Sequence, residues 1–183
     1  LDKPTGGETS GEFAKWRTLI HGDAKAANVF LRDSAEHAEG VEIGLIDFQW
    51  MGFGLGVVDA THVIAASVDP QALGFPEGDR TGASLRDGAF NSNAAHDLFK
   101  HYYEEFIDAS VLNGAAGSSE EARALWPMEE AAEQYDCAIL DFSRVVFGYQ
   151  WVRVGASPES LQAAAESYNK NSYNKSLLNA LWL

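Results

Sequence analysis

Two short apolar runs, Val29-Phe30-Leu31 and Val41-Glu42-Ile43-Gly44-Leu45-Ile46, flank a polar stretch from Asp33 to Gly40 that ends in glycine. This pattern reads as two strands of one hairpin. The consequence for the open end is strict. Asn28 stands just before the outgoing strand and Asp47 just after the returning one, so antiparallel pairing sets an amide and a carboxylate side by side although they are distant in the chain.

The flanking sequence extends this centre into one domain. With 183 residues, 46% hydrophobic and 11% aromatic, the chain can bury a single substantial core. Trp16-Arg17-Thr18-Leu19-Ile20 reads as a short extended segment leading into His21-Gly22-Asp23, and from Val57 the pattern turns helical, with Val57, Val58, Asp59 and Ala60 leading into Val63 and Ile64. Residues 70 to 88 are loop-like. Leu98, Tyr102, Phe106 and Ile107 recur at helical spacing and predict a helix over Asn93 to Leu112, stopped by Asn113-Gly114. The series Leu125, Met128, Ala132, Tyr135, Ile139, Phe142, Val146 and Tyr149 alternates steps of three and four, the mark of one buried helix face. Pro127 suits its first turn, and Glu129 and Glu130 suit its positive end. Ser157-Pro158-Glu159 announces a last helix. The expected class is α+β: a small β hairpin followed by a mostly helical body, with no internal repeat.

Charge narrows the partners. A net charge of -14 argues against nucleic acid and anionic membrane, which are bound chiefly through clustered Lys and Arg. It suits metal ions or a cationic substrate held by acidic and aromatic residues such as Glu104, Glu105, Tyr149 and Trp151. Cys137 is the single cysteine and has no metal-ligand spacing around it, which fits a reducing, cytoplasmic setting. No apolar run is long enough to cross a bilayer, since Asp141 and Arg144 interrupt the most hydrophobic stretch.

The segment His21-Gly22-Asp23-Ala24-Lys25-Ala26-Ala27-Asn28, followed after the hairpin by Ile46-Asp47-Phe48-Gln49, resembles the catalytic loop and metal-binding motif of the protein-kinase-like phosphotransferases. Phosphoryl transfer needs a carboxylate to accept the hydroxyl proton and oxygen ligands that fix magnesium against the phosphates of ATP. The resemblance gives Asp23 the first role and Asn28 and Asp47 the second. It gives His21 the orientation of the loop, Lys25 a contact with the transferring phosphate, and Asp59 the bracing of the catalytic loop. Taken singly, each residue has a plainer use. Asp23 and Asn28 suit a polar turn, His21 a buried hydrogen-bonded histidine, Lys25 a solvated lysine, and Asp59 a helix N-terminal aspartate.

Gln49, where protein kinases have glycine, is similar to the choline-kinase-like and ecdysteroid-kinase-like branch related to the aminoglycoside phosphotransferases. The stretches Leu98-Phe99-Lys100-His101-Tyr102-Tyr103 and Asp141-Phe142-Ser143-Arg144 are similar to that branch as well. The branch implies transfer of the ATP γ-phosphate to a hydroxyl of a small molecule. No activation segment and no Ala-Pro-Glu motif lie between Asp47 and Asp59, which disfavours a protein acceptor. Choline or ethanolamine, a steroid alcohol and an aminoglycoside all stay open. Such kinases also carry an N-terminal β lobe that covers the phosphates, and Gly6, Gly7 and Gly11 are not followed by its strands. The expectation is therefore a linker or lobe remnant over residues 1–15 and a kinase-like C-terminal catalytic lobe over 16–183, with little activity unless an N-terminal lobe is attached. The alternative is a pseudokinase or binding module that uses the same fold without catalysis.

Overall fold

The computed structural model describes residues 17–34, 40–69, 72–73, 93–151 and 179–180. Among them, four strands form two antiparallel pairs: β1 (Arg17–Ile20) with β4 (Gly52–Leu55), and β2 (Val29–Asp33) with β3 (Val41–Leu45). The expected hairpin is the second pair, in a register running from Val29↔Leu45 to Asp33↔Val41. In the first pair Ile20 stands opposite Gly52. Together the two ladders pinch the segments 21–28 and 46–51 between them, which is what gathers the polar residues.

Sequence patterning does not reveal β4, because half of Gly52-Phe53-Gly54-Leu55 is glycine and glycine weakens a strand. At one position the pairing leaves little room: a Cβ on Gly54 would lie 2.6 Å from Ile20 Cδ1, so the isoleucine would have to turn aside.

The body is helical, with α1 (Val57–Ser67), α2 (Asn93–Leu112), α3 (Ser119–Leu125) and α4 (Met128–Val145), the last continuing as a π-helical segment Val146–Trp151. α2 has the predicted bounds, but its buried line is Ala95, Phe99, Tyr103 and Ile107, with Tyr102 and Phe106 beside it. Leu98 is exposed. The helix ends as the sequence requires. Gly114 adopts φ +73°, and the Ala115 and Gly114 N–H groups donate to the carbonyls of Ser110 and Val111 at 2.8 and 3.1 Å, closing two of the orphan acceptors at the helix end.

The long three-four series does not form one helix face. Leu125 ends α3, Trp126 leaves helical geometry at φ -134°, ψ 84°, and Pro127 caps α4 in extended conformation. Leu125 and Tyr149 at the two ends are 52% and 55% exposed, whereas Tyr135 and Val146 inside the series are buried. A break at Trp126 rotates the two helices independently, so a periodicity continuous in sequence is not continuous in space.

The core lies where α1, α2, α3 and α4 meet, and it is aromatic. Phe99 stacks on Tyr135 with centroids 4.4 Å apart, and Trp126 meets Phe106 edge-on at 4.6 Å, the offset and T-shaped geometries that aromatic quadrupoles favour. Tyr103 donates from its hydroxyl to the Trp126 carbonyl at 2.7 Å, which satisfies the phenol inside the core. Asn179, fully buried, donates its amide to the Ala65 and Val68 carbonyls at the end of α1. The expectations for residues 1–16, most of the loop at 70–88 and the helix beginning at Ser157 fall outside the described residues.

Candidate active site

Asp23 follows the end of β1 and sits where the two ladders converge. Its Oδ2 accepts from Lys25 Nζ at 2.6 Å and from Asn28 Nδ2 at 3.2 Å. The Asn28 amide also donates to the Asp23 backbone carbonyl at 3.0 Å. Both neighbours of this amide nitrogen are pure acceptors, so the atom facing them must be nitrogen. The two N–H bonds of Asn28 are then spent on Asp23, and Oδ1 is left as an acceptor. Asn28 is buried, so this orientation is held by its surroundings. On Asp23, both side-chain contacts among the described residues fall on Oδ2, which leaves Oδ1 for another donor.

The hairpin register continues one step past the strands, with Ile46 N–H donating to the Asn28 carbonyl at 3.1 Å. Asp47 therefore begins directly beside Asn28. Asp47 has φ 64°, ψ 58°, and among the described residues no other non-glycine has positive φ. Aspartate tolerates this left-handed region better than most residues, and such backbones concentrate at functional sites. Its side chain is exposed and, among the described residues, makes no ion pair or hydrogen bond.

His21 lies behind this group. Its Nε2 pairs with the Ile46 carbonyl at 2.8 Å, its ring meets Phe48 with centroids 4.8 Å apart, and its Nδ1 accepts from the Asp23 N–H at 3.3 Å. Through these contacts His21 ties the loop to the strand leading to Asp47. Asp59, in the first turn of α1, accepts from the backbone N–H groups of His21 and Gly22 at 2.6 and 2.9 Å.

Three contributors carried no signal in the sequence. Ser67 Oγ accepts from Ala26 N–H at 2.7 Å, so α1 supports the loop at both ends. The Trp50 carbonyl covers Gly22 so closely that a Cβ there would stand 2.4 Å from it. His62, on α1 between these supports, meets Phe142 edge-on at 5.4 Å, and its buried Nδ1 has no hydrogen-bond partner among the described residues. Burial holds its imidazole below the ordinary 6.5, and Lys25 adds to that, while Asp59, Asp23 and Asp141 oppose it.

Glu104, considered from the sequence as part of a cation site, is instead engaged by Arg123, at 2.9 and 2.5 Å. Among the described residues no cluster of three or more His, Cys, Asp or Glu could hold a metal. Any cation at this site would depend on the mixed set of Asn28 and Asp47 and on ligands brought by a substrate. That set does fit a hard cation: one freed amide oxygen and one unpaired carboxylate on adjoining backbone, with the remaining positions left to phosphate and water.

The arrangement is thus a loop carboxylate bonded to a lysine and an amide, on a loop whose start is tied to α1 by Asp59, with Asp47 one residue past the end of the adjoining strand. Residues 8–74, which hold every one of these loop residues, match the model of the ecdysteroid kinase-like family. This is one of the branches that the Asp47-Phe48-Gln49 motif resembles, and it is consistent with a kinase-like small-molecule kinase. No curated protein and no solved structure matches the chain. Among the described residues, no helix is long and apolar enough to cross a membrane.

Proposed function

We propose that the chain carries the catalytic centre of an ATP-dependent phosphotransferase whose acceptor is a hydroxyl of a small molecule. One observation supports this above the rest: both contacts to the Asp23 carboxylate fall on Oδ2, from Lys25 and Asn28, which leaves Oδ1 for an incoming hydroxyl.

In this reading Asp23 accepts the hydroxyl proton as the oxygen attacks the γ-phosphorus and the bond to the leaving ADP oxygen breaks. Proton transfer to a positioned base is worth about 10² to 10⁴ in rate. Lys25, already aimed at the reacting carboxylate, turns its ammonium toward charge spread over the transferring phosphoryl oxygens. Asn28 Oδ1 and Asp47 would hold magnesium, which when bound offsets the phosphate charge. His21 and Asp59 orient the loop and touch no substrate. The family match over residues 8–74 supports the class of reaction; the residue roles are those the motif resemblance implies, and the hydrogen bonds around Asp23 are compatible with them.

The test is Asp23→Asn, a near-isosteric change, in the native protein assayed for ATP consumption against a panel of alcohols that includes choline, ethanolamine, a steroid alcohol and an aminoglycoside. The expected outcome is loss of alcohol-dependent turnover by about 10² or more with ATP binding retained. Turnover within tenfold of the unaltered protein would show that Asp23 is not the base, and ATP binding without turnover on any alcohol, measured with an N-terminal lobe attached, would favour a binding module built on the same fold.

A further inference from the structure

α1 is tied to the Asp23 loop at both of its ends, and the two ties differ in strength. At the first turn Asp59 holds the start of the loop through two backbone N–H groups. At the last turn the tie is a single exposed bond, from the Ala26 N–H to Ser67 Oγ at 2.7 Å. Water competes for such a bond, so it holds Ala26 only as firmly as Ser67 is itself held. Helix ends fray. α1 has no basic residue in its last turn and passes at Val68 into extended backbone, φ -69°, ψ 142°, so it lacks both a left-handed C-cap and a cation at its negative end.

Asn179 closes that end from outside the helix. Its side chain is fully buried, and its Nδ2 donates to the Ala65 and Val68 carbonyls, both at 2.9 Å. Both partners can only accept, so the atom facing them is the nitrogen. Its Oδ1 is buried with no hydrogen-bond partner among the described residues, and the two donated bonds are what offsets burial of the amide. The Ala65 carbonyl belongs to the last turn, whose acceptors the helix itself cannot all satisfy. Residues 65 and 68 stand on either side of Ser67, so one amide clamps the backbone before and after it.

We infer that Asn179 is a positioning residue for the far end of the loop: it fixes the last turn of α1, that turn fixes Ser67, and Ser67 fixes Ala26. Ala26 opens the short turn that ends at Asn28, whose side-chain amide reaches back to Asp23. Asn179 touches no substrate in this scheme. Because Asp59 holds His21 and Gly22 without its help, the start of the loop stays in place when the far end loosens. The coupling itself needs no chemistry; that it matters to turnover rests on the phosphotransferase reading.

The test is amide hydrogen exchange in the native protein, read residue by residue by NMR. Asn179→Leu removes both donors and should speed exchange at Ala26 by about fivefold, the worth of one net hydrogen bond. His21 and Gly22 should stay within about twofold. Ser67→Ala should give the same rise at Ala26, Ser67→Thr should not because it keeps the hydroxyl, and adding Asn179→Leu to Ser67→Ala should raise it no further. Should Asn179→Leu fail to fold, Asn179→Ser, which keeps one donor, is expected to give a smaller rise confined to the same end of the loop. No rise at Ala26 in the Asn179 variant, an equal rise at His21 and Gly22, or rises that add in the double variant would each overturn the inference. In the alcohol assay, Asn179→Leu should also raise the magnesium concentration needed for half-maximal turnover while the KM of the alcohol is unchanged, because Asn28 is the residue displaced. Faster exchange at Ala26 with unaltered magnesium dependence would leave the coupling intact and count against Asn28 as a ligand.

Discussion

At the scale of single residues, the loop depends on two glycines whose roles differ in kind. Gly22 has φ +80°, and a Cβ there would stand 2.4 Å from the Trp50 carbonyl oxygen and 2.9 Å from the carbonyl carbon. Backbone cannot retreat as a side chain can, so Gly22→Ala combines left-handed strain with a clash. The expected loss is about 3 kcal/mol or more, read from chemical denaturation. Gly114 has φ +73° but nothing within 4 Å of its would-be Cβ. Gly114→Ala should therefore cost only the conformational part, about 1 kcal/mol. Equal losses at the two sites would mean that the Trp50 contact carries no weight. The need for glycine between His21 and Asp23 could not be read locally, because the obstructing carbonyl belongs to a residue beyond the hairpin.

At the scale of elements, legibility followed how local each signal is. The hairpin and α2 were readable because alternation, helical spacing and Asn113-Gly114 act within a few residues of where they sit. Sequence patterning does not reveal α3, although Ser118-Ser119-Glu120-Glu121 has the spacing of a capping box: Ser118 Oγ accepts from Glu121 N–H at 3.2 Å, while Glu121 Oε2 reaches back one residue further, to Gly117 N–H at 2.8 Å. Ser118→Ala should cost about 1 kcal/mol, and thermal melts can measure it. No measurable loss would show that packing of Ala122 and Trp126, rather than the cap, holds this short helix. β4 is the opposite case, a strand made by its partner rather than by its own residues.

At the scale of the whole molecule, buried ionisable groups set the pH range of stability. The folded state holds His62 below 6.5, so below that pH the unfolded chain binds a proton that the folded chain refuses, and stability falls with acidification until the folded ring titrates. Tyr102 works at the other limit. Burial, aided by Asp59, pushes it from 10 up to about 12. Above pH 10 the unfolded phenol ionises first, and stability falls by about 2 kcal/mol as pH rises toward 12. Tyr135 is raised by burial as well, with Asp136 adding to it. A stability plateau between about pH 7 and 10 is therefore expected. His62→Leu should flatten its acid limb, and an unchanged limb would assign that loss to other groups.

The β2–β3 face has a different consequence. Leu31 and Ile43 are cross-strand partners, 70% and 66% exposed. An apolar surface of this kind binds hydrophobic dyes. Leu31→Lys with Ile43→Glu should cut dye fluorescence by about half without lowering the melting temperature, because the pair becomes an opposite-charge pair across the strands. Undiminished fluorescence would place the dye elsewhere.

Order along the chain was enough to determine that Asn28 and the residues just before Asp47 share the open end of the hairpin, where Ile46 N–H donates to the Asn28 carbonyl, because pairing of two apolar runs fixes the register. Tertiary structure alone decided which oxygen of Asp23 stays open, which carbonyl forbids a side chain at position 22, and how Asp59 and Ser67 hold the loop from α1. Those outcomes depend on directions and distances between segments remote in sequence, and a linear pattern of residue types carries no information about them until the core has set the helices in place.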